Sequence, residues 1–195
     1  KAEDVEAFLE AGGDPNGTGP DGLPLVLEAA TRGHAQIVKT LLKEGASVAA
    51  TYPASGRSAL HEAAATCQVA LARICLACSA SLDTVDGLGR TPLLVTAGAK
   101  SAKMVRELVT AGARLYAVEA HTGNTVLHQA ALSGNVEVVE RLQRAGVNLE
   151  GVNLHGHTPL HIAAKGGARG RPVRPHTRIL DTSEHKIALH QYAPT

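Results

Sequence analysis

Three imidazoles, His155, His157 and His161, fall within seven residues of this chain. Neutral histidine is a common metal ligand, and the step of four from His157 to His161 would set two rings on one helix face. A zinc centre needs a fourth ligand or an open water position as well, and no Cys or carboxylate flanks these three. His161 also stands three residues after Thr158, where it is placed to reach back to a helix start as the Glu of a capping box does. The same placement recurs at His61 after Ser58 and at His128 after Thr125. These histidines are read as capping residues, and no metal or other cofactor is expected.

The remaining reactive groups lead to the same kind of reading. Cys75-Leu76-Ala77-Cys78 is formally a C-x-x-C, but no second pair and no adjacent strand accompany it. Cys75 falls in a core register, where thiols act as small buried hydrophobes. Three cysteines confined to one stretch (Cys67, Cys75, Cys78) do not make a disulfide framework. Gly166-Gly167-Ala168-Arg169-Gly170-Arg171 lacks the Gly-Lys-Ser/Thr of a phosphate loop. Residues 168–195 carry Arg169, Arg171, Arg174, Arg178 and Lys186 against Asp181 and Glu184, a net +3. With no interleaved aromatics for base stacking, and a whole-chain charge of +1, nucleic acid is not the expected partner. Glu3, Asp4, Glu6 and Glu10 read as a solvated helix face, and Asn16-Gly17 as a turn. No nucleophile, base and orienting group stand together outside repeated positions, so no catalytic activity is expected.

The elements that must carry these residues emerge from internal repetition. His157-Thr158-Pro159-Leu160-His161-Ile162-Ala163-Ala164 recurs in altered form with starts at Pro24, Ser58, Thr91, Thr125 and Thr158, at steps of 34, 33, 34 and 33. A fixed period near 33 marks a stacked repeat array. Thr or Ser supplies an N-cap, Pro at the first helical position sacrifices no hydrogen bond, and an Ala-Ala pair continues a short helix. Glycines follow (Gly33, Gly134, Gly167), then paired aliphatics such as Ile37-Val38, Met104-Val105 and Val138-Val139, then a second glycine (Gly45, Gly112, Gly146). Both glycines fit the left-handed residue that closes a helix. In the second unit Cys67 and Ser79 stand in their places.

One unit is therefore a capped short helix, a turn, a second amphipathic helix, a stop and an extended connector. This grammar resembles the ankyrin-repeat family over residues 1 to about 167. The resemblance implies an all-α solenoid of stacked helix–turn–helix units with β-turn fingers. Residues 1–16 form a partial repeat with an apolar stripe of Val5, Phe8 and Leu9, followed by repeats at about 22–49, 56–82, 89–115 and 123–149. An incomplete repeat occupies 156–167, because two prolines after Gly167 prevent the second helix in register. Residues 168–195 are expected to form a basic, flexible tail, with a short helix possible near 183–191.

Composition agrees with a stack of small-residue helices: one Phe, three Tyr and no Trp in 195 residues. No apolar run is long enough to cross a membrane, so membrane insertion is not expected. The chain opens mid-repeat without Met, which suggests an upstream segment; intracellular residence and a monomeric array follow from the resemblance.

Ankyrin repeats bind partners through variable positions, so the resemblance implies a protein-binding scaffold within a larger protein. A second possibility is a regulatory or targeting segment of an enzyme whose catalytic domain lies outside this chain. Three columns supply the candidate partner-binding residues. One precedes the cap (Arg57, Arg90, Asn124, His157). A second lies on the first helix (Glu28, Glu62, and Gln129, taken as exposed). A third ends that helix (Thr31, Arg32, Thr66, Leu132, Ser133). Arg57 and Arg90 are expected side by side, with Glu28 and Glu62 beside them, as a mixed-charge strip.

Overall fold

The computed structural model describes residues 2–99 and 101–167, so the tail expected at 168–195 and its possible helix lie outside the described residues. Ten helices are formed within them. α1 (Ala2–Glu10) is the second helix of the partial first repeat, and four complete pairs follow. These are α2 (Leu25–Thr31) with α3 (Ala35–Lys43), and α4 (Ala59–Ala65) with α5 (Val69–Ala77). Next come α6 (Pro92–Ala99) with α7 (Ala102–Thr110), and α8 (Val126–Ser133) with α9 (Val136–Arg144). The first helix of the incomplete repeat is α10 (Pro159–Gly167). Helices this short are unstable alone in water, so packing between units must hold them.

The caps work as their sequences require. Ser58 and Thr125 each accept the backbone N–H three residues on, while the Nδ1 of His61 or His128 accepts the cap's own backbone N–H. Thr158 and His161 repeat this arrangement at the start of α10. Pro24, with no side-chain oxygen, opens α2 without a cap bond. Ser101 and Asn135 also cap second helices by accepting from Met104 N and Val138 N. At the helix ends Gly33, Gly45, Gly112, Gly134 and Gly146 all have positive φ. Cys67 and Ser79 are forced into the same left-handed region, at φ of 58° and 62°.

A continuous apolar core runs through the stack, from Val26 and Leu27 through Leu60, Leu71, Leu93 and Met104 to Leu127 and Leu142. First helices pack on first helices (α2, α4, α6, α8, α10) and second helices on second helices (α1, α3, α5, α7, α9). The alanines of each first helix let neighbouring backbones approach closely. Cys75 is fully buried in this core, and burial pushes its thiol up to about 12, which disfavours the reactive thiolate at neutral pH. In the partial repeat, Val5 and Leu9 pack on the core as expected. Phe8 does not: it is exposed and lies against Gly13.

Connectors form the fingers. Single antiparallel bridges at Thr18–Pro24, Thr51–Ser58 and Val118–Thr125 pinch three of them at the base. Adjacent fingers are tied by backbone bonds, Gly87 N–H to Ser55 O (2.7 Å), Ala120 N–H to Leu88 O (3.0 Å) and Leu154 N–H to Thr122 O (2.9 Å). Side chains add register: Asn16 Oδ1 accepts Ser47 N–H, and Asp83 Oδ1 accepts Arg114 N–H at the equivalent place two repeats later.

Candidate functional site

The three candidate columns meet different fates in the structure. In the column before the cap, the side chains are spent on their own chain. Arg90 makes a paired contact with the buried Asp86, through Nε at 3.0 Å and Nη2 at 2.8 Å to Oδ2. Asp86 also accepts the backbone N–H groups of Leu88 and Arg90 at Oδ1, which shapes the finger. Burial opposes ionisation of Asp86, but the Arg90 guanidinium and these N–H donors outweigh it and hold its pKa below the usual value. Arg57 is half-buried, donates to His61 O and pairs with the buried Glu62 at 3.3 Å. Asn124 is buried, and its Oδ1 accepts from the Nδ2 of Asn153 at 2.8 Å. His157 is half-buried and accepts from the Lys165 ammonium at 2.7 Å. Each arginine of the expected mixed-charge strip has a carboxylate within reach, Glu62 for Arg57 and Asp86 for Arg90.

In the second column, Glu28 pairs with Arg32 at 2.8 Å, one helical turn away. Gln129 is half-buried and donates to Glu119, contrary to its expected exposure. Glu119 opens its finger at the position held by Asp86 and Asn153 in theirs, and from there its side chain reaches across to α8.

The third column faces outward. Thr31, Arg32, Thr66 and Leu132 are exposed, and Ser133 is half-buried. The hydroxyls turn back on their helices, Thr66 to Glu62 O at 2.7 Å and Ser133 to Ala130 O at 2.8 Å. Thr31 bonds to the hydroxyl of Tyr52, which also donates to Leu27 O and so lays the second finger across α2. Leu132 has no such explanation: it is 58% exposed on α8.

The histidines expected at the caps do more than cap. With Nδ1 accepting the cap N–H, the ring proton sits on Nε2, which donates across the repeat boundary. His61 reaches Arg90 O at 2.9 Å and His128 reaches His157 O at 2.7 Å. Burial, opposed by the bond to the Arg90 carbonyl and by Asp86, lowers the pKa of His61. The triad His155, His157 and His161 has ring centroids 6.1 and 6.2 Å apart. His161 Nδ1 is committed to Thr158, and among the described residues no three His, Cys, Asp or Glu side chains converge to hold a metal ion.

A further column escaped sequence reading. Val85, Val118 and Val152, one residue before the start of fingers three to five, are 53%, 49% and 61% exposed, and Tyr116, two residues before Val118, is 79% exposed. Their only sequence signal is a valine recurring at one register beside a polar finger.

Comparison with known proteins matches this architecture. A family model described as ankyrin repeats (3 copies) matches residues 1–86, 70–150 and 103–170. The chain is 34% identical over 185 residues to Protein glp-1 of Caenorhabditis elegans, covering 86% of this chain and 14% of that protein. It is 33% identical over 165 residues to human SH3 and multiple ankyrin repeat domains protein 2, covering 83% of this chain and 9% of the relative. The Arabidopsis thaliana E3 ubiquitin-protein ligase KEG is 30% identical over 84% of this chain, which spans 11% of that protein. The chain thus spans a small part of the length of these curated relatives. Among the described residues no helix is long and apolar enough to cross a membrane. With its repeat register, finger contacts and family match in agreement, the chain belongs to the ankyrin-repeat family, whose repeats mediate binding to other proteins.

Proposed function

We propose that this array is a non-catalytic protein-interaction scaffold within a larger intracellular protein, and that its partner lies against the first-helix face. The observation that carries this reading is Leu132. A leucine over half exposed on a short helix gains nothing for the fold, whereas apolar side chains at the centre of an interface dominate binding energy. Thr31 stands at the register of Leu132, and Arg32 and Thr66 stand at that of the adjacent Ser133, so they extend the face along the first helices on one side, with Lys165 on the other. Arg57, Arg90, Asn124, His157, Glu28, Glu62 and Gln129 support that face by fixing the fingers and helix starts beneath it.

The test compares partner capture from native lysate by the wild-type chain, Leu132→Lys, and the outer-helix pair Lys39→Ala with Lys43→Ala. Quantified recovery of the same partner should fall more than tenfold for Leu132→Lys and stay level for the lysine pair, with unfolding midpoints unchanged. The reverse pattern would assign the partner to the outer helices and reject this reading. A second reading, a regulatory or targeting segment of an enzyme, draws support from relatives described as E3 ubiquitin-protein ligases, two of which this chain spans to 11% and 31%. Sequencing the parent reading frame separates the two: a catalytic domain in it favours the second.

A further inference from the structure

We propose that the finger-base column Val85–Val118–Val152 binds an extended peptide segment bearing an apolar side chain at every third residue and a basic residue among them. This deepens the scaffold reading by giving its partner a chemistry, and it rests on that reading.

Three observations carry it. The valines occupy one register of three consecutive repeats, and the backbone bonds from Ala120 to Leu88 and from Leu154 to Thr122 hold their fingers side by side. They therefore form one line and not three separate spots. The spacing of that line follows from the helices behind it: α6, α8 and α10 pack directly on one another, and packed helices stand roughly 8–10 Å apart. A polyproline II segment advances about 3.1 Å per residue with three residues per turn, so every third side chain returns to one face after roughly 9 Å. An extended β segment returns after about 7 Å and an α-helix after about 5 Å, so neither keeps step over three repeats.

Charge supplies the third observation. Asp83 is paired with Arg114 and Asp86 with Arg90, which neutralises those acids. Glu119 receives only neutral donors, the Thr122 hydroxyl and the Gln129 amide, and among the described residues no lysine or arginine pairs with it or with Glu150. Two uncompensated carboxylates therefore flank the valines, and a lysine or arginine on the peptide complements them.

The experiment uses two labelled peptides of roughly nine residues, three turns of polyproline helix, with identical composition: Leu, Pro and one Arg. One places Leu at every third position and the other at every second. Fluorescence anisotropy with the whole chain should show the period-three peptide binding about fivefold or more tightly. Val118→Thr with Val152→Thr keeps the side-chain shape and extended backbone while adding a hydroxyl, and should weaken that binding about tenfold without moving the unfolding midpoint. Glu150→Gln should weaken it a few-fold and reduce its salt dependence. Equal binding of the two peptides, or indifference to the double valine change, overturns the proposal. So does a self-associated dimer in sedimentation that the same valine change dissolves, since the strip would then serve a second copy. If Leu132-dependent capture persists while the peptide fails, the scaffold reading stands and the peptide chemistry falls; if capture ignores Leu132, the scaffold reading itself falls.

Discussion

The Nε2 of His128 donates to the carbonyl oxygen of His157 across 2.7 Å, joining a helix start to the finger 29 residues further on. The same ring accepts the backbone N–H of Thr125 through Nδ1. One buried imidazole thus satisfies a helix cap and a repeat boundary together. His128→Ala should cost about 1–3 kcal/mol, because it leaves the half-buried Thr125 N–H and His157 carbonyl without their partner. His161→Ala removes an identical cap from an exposed ring and should cost under about 1 kcal/mol. Urea unfolding midpoints of the two variants check the difference.

Acidification should weaken the fold through His61. Burial lowers its pKa in the folded chain below the unfolded value near 6.5. The unfolded chain therefore binds the proton first as pH drops, and the stability this residue contributes is present above about pH 6.5 and lost below it. Denaturation midpoints measured from pH 7.5 to 5 should fall, and His61→Gln should flatten that part of the profile.

Cys67 and Ser79 hold left-handed backbone that glycine adopts without strain. The strain relieved, about 1–2 kcal/mol, exceeds the extra entropy of an unfolded glycine, about 0.5–1 kcal/mol. Ser79→Gly should therefore raise stability by up to about 1 kcal/mol. Cys67→Gly should gain less, since it gives up the thiol contact with Ala99 O. Thermal unfolding of both variants decides this.

Arg90→Ala should destabilise the third repeat by about 1–3 kcal/mol, because Asp86 would stay buried without its cation. Arg32→Ala, on an exposed pair, should change stability by less than about 0.5 kcal/mol. Chemical denaturation of the two variants measures the contrast.

The repeat and its caps were legible because a helix start, a paired aliphatic and a closing glycine are local and recur every 33 or 34 residues. Side-chain allegiance was not. Arg90 looks like a free surface residue until the finger folds Asp86 back within reach, and Arg57 until the turn of α4 presents Glu62. Gln129 was misjudged because its partner Glu119 belongs to a finger lengthened by one residue. The valine column stayed hidden for the opposite reason: a β-branched residue in a connector suits extended backbone whether it is covered or exposed.

Amide exchange of the whole chain with and without its captured partner tests the central claim most directly. Partner binding through the first-helix face and finger bases predicts added protection in residues 84–88, 116–123 and 128–133, with α3, α5, α7 and α9 unchanged. Protection confined to those second helices would contradict it.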